Sequence, residues 1–445
     1  MRGGAFRNEY GGEPYDDRRS GGAHAARRAR PRAVPRRRGA HAAPRSYAAH
    51  RGVALAVGFV ALVAWTLFAG PAAAASPDGP CAPQRTDVRH SEGVSWDPGY
   101  RRPDGDIDAV LLFLSFPDHR PDVATTALAA DHFPATTEFF TRSSYGRLRL
   151  RPTVVRRWFT MPRPSTAYAI HRDWAPAGRD AYLRDAIAAV GPAVDFGRYP
   201  VVYLVADPDA PGVDSDATKV INFGRPLRAG HAWINRLVTV FERHPPDPNV
   251  LAHETNHVFD LPDLYHRPAS GSTADWDDLV GDWDLMGSQF ALSPDLFAWH
   301  RWKYGWIDRS QVTCVDHPGT VTRVLTPVET AGGAKLLVVR LDATTALAVE
   351  ARAAAGNDVR SCTEGVLVYR VRSDVGTGDG PVQVLDAHPR TSACEGTSVY
   401  PPLADAPLSD GQTYRYRFGP WTHGALSVHA ARAAAGAWRV TVTER

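Results

Sequence analysis

The segment LAHETNHVFDLPDLY, residues 251–265, contains two histidines separated by three residues, with a glutamate directly after the first. On a helix, His253 and His257 lie on one face, so both imidazoles can point at one metal ion. Glu254 lies beside such a metal without ligating it, where a general base for water must be. The spacing therefore predicts a catalytic zinc site. The alternative is a polar helix face in a chain with 17 histidines.

A catalytic zinc site needs a third protein ligand, and the sequence offers two routes to one. A later glutamate is the first route, but the first glutamate after His257 is Glu329, beyond the apparent end of this region. The second is the residue six positions after His257, Asp263, if the chain turns sharply out of the helix. Pro262 favours that exit. Asp260 occupies the position where such a turn favours glycine, although aspartate tolerates left-handed backbone better than most residues.

The segment GDWDLMG, residues 281–287, carries Met286, one of only three methionines in the chain. A methionine in a polar, glycine-rich turn is hard to explain as core filling. A tight turn with a methionine beneath the metal is typical of metzincin-type zinc peptidases. Met286 is therefore the candidate residue for a Met-turn.

In these motifs and in their order, the chain resembles the immune inhibitor A family of secreted zinc metallopeptidases. The matching segments lie between residues 107 and 308: FPD at 116–118, SYG at 144–146, DFGRYP at 195–200, HETNHVFDLPDLY at 253–265, WDLMG at 283–287 and a helix with GWI at 298–307. The resemblance implies zinc held by His253, His257 and Asp263 in a metzincin-like HExxHxxxxxD pattern. It also implies Glu254 as general base and Met286 in the Met-turn.

The elements around these motifs predict an α+β fold. Apolar runs of strand length at 107–116, 147–160 and 201–205 alternate with helical segments at 136–142 and 180–190, which favours a mixed sheet covered by helices. Two further helices are expected, one capped by Asp247 with Pro248 at its first position, the other capped by Ser293 and ended by Gly305.

From about residue 311, short β-rich runs recur between turn residues, which indicates an antiparallel sandwich-like region. We therefore predict a metzincin-like zinc peptidase domain at 76–310, with a mixed sheet and an active-site helix, followed by a β-rich C-terminal domain at 311–445.

The N-terminal part predicts export. Residues 1–52 contain 13 arginines and four acidic residues, so the remainder of this chain of net charge +3 is acidic. That basic leader is expected to be disordered, and because the basic charge is confined to it, no nucleic-acid partner is expected. Residues 53–75 form an uncharged apolar stretch ending in small residues, which predicts a signal peptide and a secreted protein. A membrane anchor, with the catalytic domain outside, is the alternative.

All four cysteines lie after residue 75, and an even number in an exported chain predicts two disulfides, with three possible pairings. An acidic cluster suggests a calcium site, although without EF-hand spacing a solvated loop is the favoured interpretation. The cluster consists of Asp275, Asp277, Asp278, Asp282 and Asp284.

Taken together, the sequence predicts a secreted zinc-dependent endopeptidase. It would cleave a protein or peptide substrate by means of zinc-bound water, with Glu254 as general base. It would meet a membrane only if the apolar segment at 53–75 is uncleaved. The alternative is a catalytically inactive secreted or surface binding protein that retains the peptidase fold. The presence of all three ligand candidates and the base favours the enzyme.

Overall fold

Five strands between residues 105 and 240 form one mixed β-sheet in the computed structural model, which describes residues 79–417 and 425–444. The strands are β1 (Gly105–Ser115), β2 (Leu148–Thr160), β3 (Val201–Ala206), β4 (Lys219–Ala229) and β5 (Ala232–Val240). Their order is β2-β1-β3-β5-β4; β4 is antiparallel to β5, and the other neighbours are parallel. The predicted mixed sheet is confirmed, and β4 forms its edge.

Helices pack on both faces of this sheet because alternate residues of a strand point in opposite directions. The helices that precede the metal motif are α1 (Thr125–His132), α2 (Ala135–Ser143) and α3 (Pro176–Val190). Leu111 of β1 packs in one hydrophobic cluster with Phe140 of α2, whereas Leu112 packs in a second cluster with Leu183 of α3. Burial on both faces explains why β1 and β3 are continuous apolar runs.

The helix that carries the two histidines is α4 (Val250–Val258). The predicted cap at Asp247 with Pro248 in the first turn is wrong, because Asn249 adopts a left-handed conformation (φ 57°) that a continuous helix cannot contain. The Asp247 carboxylate instead accepts a hydrogen bond from the side chain of Gln289 at 2.9 Å.

Helix α5 (Ala298–Tyr304) is shorter than predicted, and the expected cap at Ser293 is wrong. Carboxylates from distant parts of the chain bind its first N–H groups: Asp284 accepts from Phe297 at 2.7 Å, and Glu350 accepts from Ala298 at 2.8 Å. The predicted end of the helix at Gly305 is confirmed, since this glycine has φ 78°.

Beyond residue 311 two further sheets pack face to face. The first contains β6 (Val312–Val315), β8 (Leu336–Arg340), β9 (Thr345–Arg352), β10 (Gly365–Arg372) and β11 (Val382–Val384), and the second contains β7 (Gly319–Leu325), β12 (Thr413–Arg417), β13 (Ala425–Arg432) and β14 (Trp438–Glu444). One hydrophobic cluster draws on both sheets. The second sheet is antiparallel as expected, whereas β6 pairs parallel with β8 in the first.

Residues 76–445 form one compact unit. Its largest hydrophobic cluster contains residues from both sides of position 310. Within it, the ring of Phe297 stacks on Tyr369 of β10 with centroids 4.2 Å apart. The strands at the centre of the first β-rich sheet are therefore buried on both faces. The topology changes at residue 310, and a domain boundary there stays a prediction.

The four cysteines form two disulfides, Cys81–Cys314 and Cys362–Cys394, as the even count predicted. The first joins the segment before β1 to β6. No helix in the described part of the chain has the length and apolar character needed to cross a membrane. The predicted leader at 1–52 and the predicted signal peptide or anchor at 53–75 lie outside the described residues.

Candidate metal centre

Three side chains separated by up to ten residues converge at one buried point. The Nε2 atoms of His253 and His257 are 3.2 Å apart, and Asp263 Oδ1 lies 3.2 Å from the first and 3.1 Å from the second. Tetrahedral zinc with bonds of about 2.0–2.1 Å holds its ligand atoms about 3.3–3.4 Å apart. Among residues 79–417 and 425–444, this is the only group of His, Cys, Asp or Glu arranged to hold a metal ion. Its geometry fits zinc.

Backbone carbonyls fix the orientation of both imidazoles. His253 Nδ1 donates to the carbonyl of Leu285 at 2.9 Å, and His257 Nδ1 donates to the carbonyl of Leu261 at 2.7 Å. In the neutral form of each ring, a proton on Nδ1 leaves Nε2 with a lone pair facing the centre, as metal-ligating histidines require.

The electrostatics of the site favour positive charge beside Asp263. Burial opposes ionisation of this carboxyl, but the neighbouring His257 and His253 outweigh burial and hold its pKa well below the usual range. Burial also lowers the pKa of His253, but the hydrogen bond to Asp263 and the nearby Glu254 raise it to about 9. The site is therefore arranged around a carboxylate that stays ionised.

The predicted Met-turn is a tight, buried turn that contacts the site through its backbone. Asp284 Oδ1 accepts from the Met286 N–H at 2.8 Å, and the Met286 carbonyl accepts from the Leu264 N–H at 2.8 Å. Gly287 has no room for a side chain, because a Cβ there would lie 2.7 Å from Val280. The Leu285 carbonyl orients His253, and the Met286 carbonyl binds the N–H of Leu264, the residue after Asp263.

The exit from α4 depends on Asp260, which has φ 75°. The Leu261 N–H returns to the Asn256 carbonyl at 3.1 Å, as in helix ends that place glycine in the left-handed position. The left-handed backbone expected at this aspartate is confirmed. The turn redirects the chain, so Asp263 returns to the two histidines.

Two cations and one neutral histidine surround the carboxylate of Asp260, since burial lowers the pKa of His90 to about 4. Arg85 contacts it at 2.7 Å, His90 Nδ1 at 3.1 Å and Lys303 Nζ at 3.6 Å. Burial raises the pKa of this carboxyl, but Lys303, His90 and Arg85 outweigh burial and lower it to about 2. Sequence analysis missed these partners, since Arg85 and His90 lie 175 and 170 residues away in sequence, a separation that carries no local pattern.

A second buried charge cluster lies beneath the Met-turn. His300 Nε2 contacts Glu92 Oε1 at 2.9 Å, and His300 Nδ1 contacts Asp284 Oδ2 at 2.9 Å. Burial lowers the pKa of His300, but the two carboxylates outweigh it and raise the pKa to about 10. Both ring nitrogens therefore donate, so the imidazolium joins the segment before β1 to the turn that orients His253.

The candidate base contacts the edge strand of the mixed sheet. Glu254 follows the first histidine on α4, and its Oε2 accepts from the Val220 N–H of the edge strand β4 at 2.6 Å. The carboxylate is thus held between the metal-binding triad and the edge of the sheet.

The acidic residues considered for calcium do not form a metal-binding group in the described part of the chain. Asp282 accepts from the Leu292 N–H at 2.9 Å, and Asp284 binds the Met286 N–H and His300. These two carboxylates stabilise loops and the turn instead.

Comparison with known proteins adds no family assignment, because this chain matches no protein-family model and no curated protein. The resemblance to the immune inhibitor A family therefore rests on the motifs and stays a prediction.

Replacing Asp260 with glycine separates the backbone requirement from the charge requirement. Glycine removes a left-handed strain of about 1–2 kcal/mol, but loss of one partner from a buried charge cluster costs about 3–5 kcal/mol. We expect Asp260→Gly to lower the free energy of unfolding by about 1–4 kcal/mol, the difference between these two effects, in urea denaturation with a chelator present. Asp260→Asn is the control that keeps tolerance for the left-handed backbone and loses only the charge. A glycine variant more stable than wild type would show that strain dominates.

The buried His300 predicts a loss of stability at alkaline pH. A folded-state pKa of about 10 means that its stabilisation is complete below the unfolded pKa of 6.5 and is lost as pH rises through about 10. The free energy of unfolding should fall by up to about 1.4 kcal/mol per pH unit in this window. In urea denaturation between pH 6 and 10, the slope should be smaller in His300→Gln and unchanged in His231→Gln, which alters an exposed histidine. Equal slopes in all three proteins would contradict the assignment.

Proposed function

We propose that this protein is a secreted zinc-dependent endopeptidase of the metzincin-like, immune inhibitor A type. The observation that carries the proposal is the convergence of His253 Nε2, His257 Nε2 and Asp263 Oδ1 within 3.2 Å of one another, with Glu254 next to the first ligand. Two imidazoles and one carboxylate are typical of catalytic zinc sites, which leave a fourth position open.

A zinc ion held by His253, His257 and Asp263 would supply Lewis acidity to the water and to the scissile carbonyl. The residues of the chain supply the proton transfers. Glu254 accepts a proton from the attacking water and then donates it to the amine of the leaving peptide. The hydrogen bond from the Val220 N–H holds one carboxylate oxygen of Glu254, so the other oxygen is available for the proton.

The edge strand supports a peptide as the substrate. In β4, the strand at the edge of the sheet, Val220 donates its N–H to Glu254. An extended peptide can pair with the free edge of a sheet through its backbone and present a carbonyl beside the base. This mode of binding uses main-chain groups and suits protein or peptide substrates in general.

Secretion fits the disulfides, which persist in oxidising compartments. The alternative function is a secreted or surface binding protein that retains the peptidase fold without activity. The intact ligand triad and the glutamate favour the enzyme, since a binding protein has no need of a carboxylate beside the triad.

The decisive variant is Glu254→Gln, which keeps the size of the side chain and removes the base. General-base catalysis contributes about 100- to 10,000-fold, so the rate of cleavage of a fluorescently labelled unfolded protein should fall at least about 100-fold. Zinc content, measured by elemental analysis, should stay near one ion per chain, because this residue is not a ligand. A chelator should abolish the wild-type activity.

The matched control is Glu138→Gln, which changes an exposed glutamate on α2 and should leave the rate unchanged. Zinc binding without cleavage by the wild-type protein, across several unfolded substrates, would favour the binding-protein alternative. A wild-type protein that binds no zinc would overturn the assignment of the triad.

A further inference from the structure

The loop between β10 and β11 contacts the third ligand directly. Thr377 Oγ1 accepts a hydrogen bond from the Asp263 N–H at 2.8 Å and donates one to Asp263 Oδ2 at 2.9 Å. One hydroxyl thus binds both the backbone and the carboxylate of Asp263. These residues are 114 positions apart in sequence.

Backbone pairing holds this loop in place beside the segment that follows α4. The Gly378 N–H donates to the Asp263 carbonyl at 3.0 Å, and the Arg267 N–H donates to the Gly378 carbonyl at 3.1 Å. His266 and Asp379 form an antiparallel bridge beside them. The threonine is therefore presented by a short ladder and not by an isolated flexible side chain.

The three ligands differ in how they are oriented. The histidines project from the regular helix α4, and backbone carbonyls fix their rings. Asp263 follows Pro262 in irregular backbone, so no helix sets the direction of its carboxylate. Its Oδ1 faces the histidines, and its Oδ2 is bound by Thr377. Arg267 is the other nearby donor, but its Nη2 lies 4.0 Å from Oδ2, beyond hydrogen-bonding distance.

We propose that Thr377 is a positioning residue for the metal centre, through which the β-rich part of the chain directs Asp263 Oδ1 at the ion. The inference rests on the proposed function, since it needs the triad to bind a metal. A hydroxyl is required because the group must accept from the Asp263 N–H and donate to Oδ2 at once. Such partners of metal ligands are worth about 10- to 100-fold in metal affinity.

The test compares Thr377→Val, which has nearly the same shape without the hydroxyl, with Thr377→Ser, which keeps it. Zinc affinity is measured on the full protein by competition with a chromophoric chelator. We expect the dissociation constant to rise about 10- to 100-fold in the valine variant and to stay within about threefold of wild type in the serine variant. The visible spectrum of the cobalt-substituted protein should change in Thr377→Val only, since it reports ligand geometry.

Stability measurements separate positioning from a merely structural role. In chelator, the melting temperature reports folding of the metal-free protein, and the increment on adding zinc reports binding. Positioning predicts a smaller zinc increment for Thr377→Val, whereas a structural role predicts a lower metal-free melting temperature with the same increment. Arg267→Gln, which alters the more distant donor, should change the zinc affinity less than Thr377→Val does.

The proposal is overturned if wild type binds zinc and Thr377→Val binds it equally well with the same cobalt spectrum. If the valine variant does not fold, Thr377→Ala takes its place under the same criteria. A weakened zinc affinity in Thr377→Ser would also contradict the role of the hydroxyl. A wild-type protein that binds no zinc would refute the proposed function itself, which is a different outcome.

Discussion

The arrangement of the candidate site depends on the left-handed turn at Asp260. Helix α4 can direct two histidines at one point through its own periodicity, but a third ligand must come from chain that has left the helix. The turn at φ 75° makes that return within three residues. The carboxylate of Asp260 contacts Arg85, Lys303 and the neutral His90, so the turn is stabilised by charge and hydrogen bonding where glycine would offer only conformational freedom.

Buried charges connect this turn to the rest of the molecule. The segment before β1 supplies Arg85 and His90 to Asp260, and Glu92 to His300. The disulfide Cys81–Cys314 tethers the start of that segment to β6. Because an unpaired charge in the interior is costly, each of these pairs stabilises one relative position of the segment, α4, α5 and the Met-turn. The segment thus supports the candidate site although it contributes none of the three ligands.

The β-rich region supports the site from the other side. Glu350 of β9 binds the first N–H of α5, Tyr369 of β10 stacks on Phe297, and the loop after β10 presents Thr377 to Asp263. The central strands of one sheet of this region are buried on both faces. The residues before and after position 310 therefore share one hydrophobic core although the topology changes there. The candidate metal centre contains ligands from before this position and a hydrogen-bonding partner, Thr377, from after it.

Sequence alone determined the features whose cause is local. Alternation and apolar runs predicted β1, β2 and β3 of the mixed sheet and the β-rich character beyond residue 311, since the period of a strand or helix is a property of neighbouring residues. They did not predict β4 and β5. The spacing of His253 and His257, and the exit forced before Asp263, singled out the triad for the same reason. The predicted caps at Asp247 and Ser293 failed. Left-handed Asn249 shortens the first helix, and carboxylates from distant segments bind the start of the second.

Only the tertiary structure decided which partners surround these residues. These contacts join residues up to 233 positions apart: the partners of Asp260, the carboxylates around His300, the disulfide pairing and the contact of Thr377 with Asp263. No periodicity or turn signal links such residues, because their proximity follows from how sheets and helices pack. The ligands could therefore be named from the sequence, while the groups that orient and stabilise them depend on the fold.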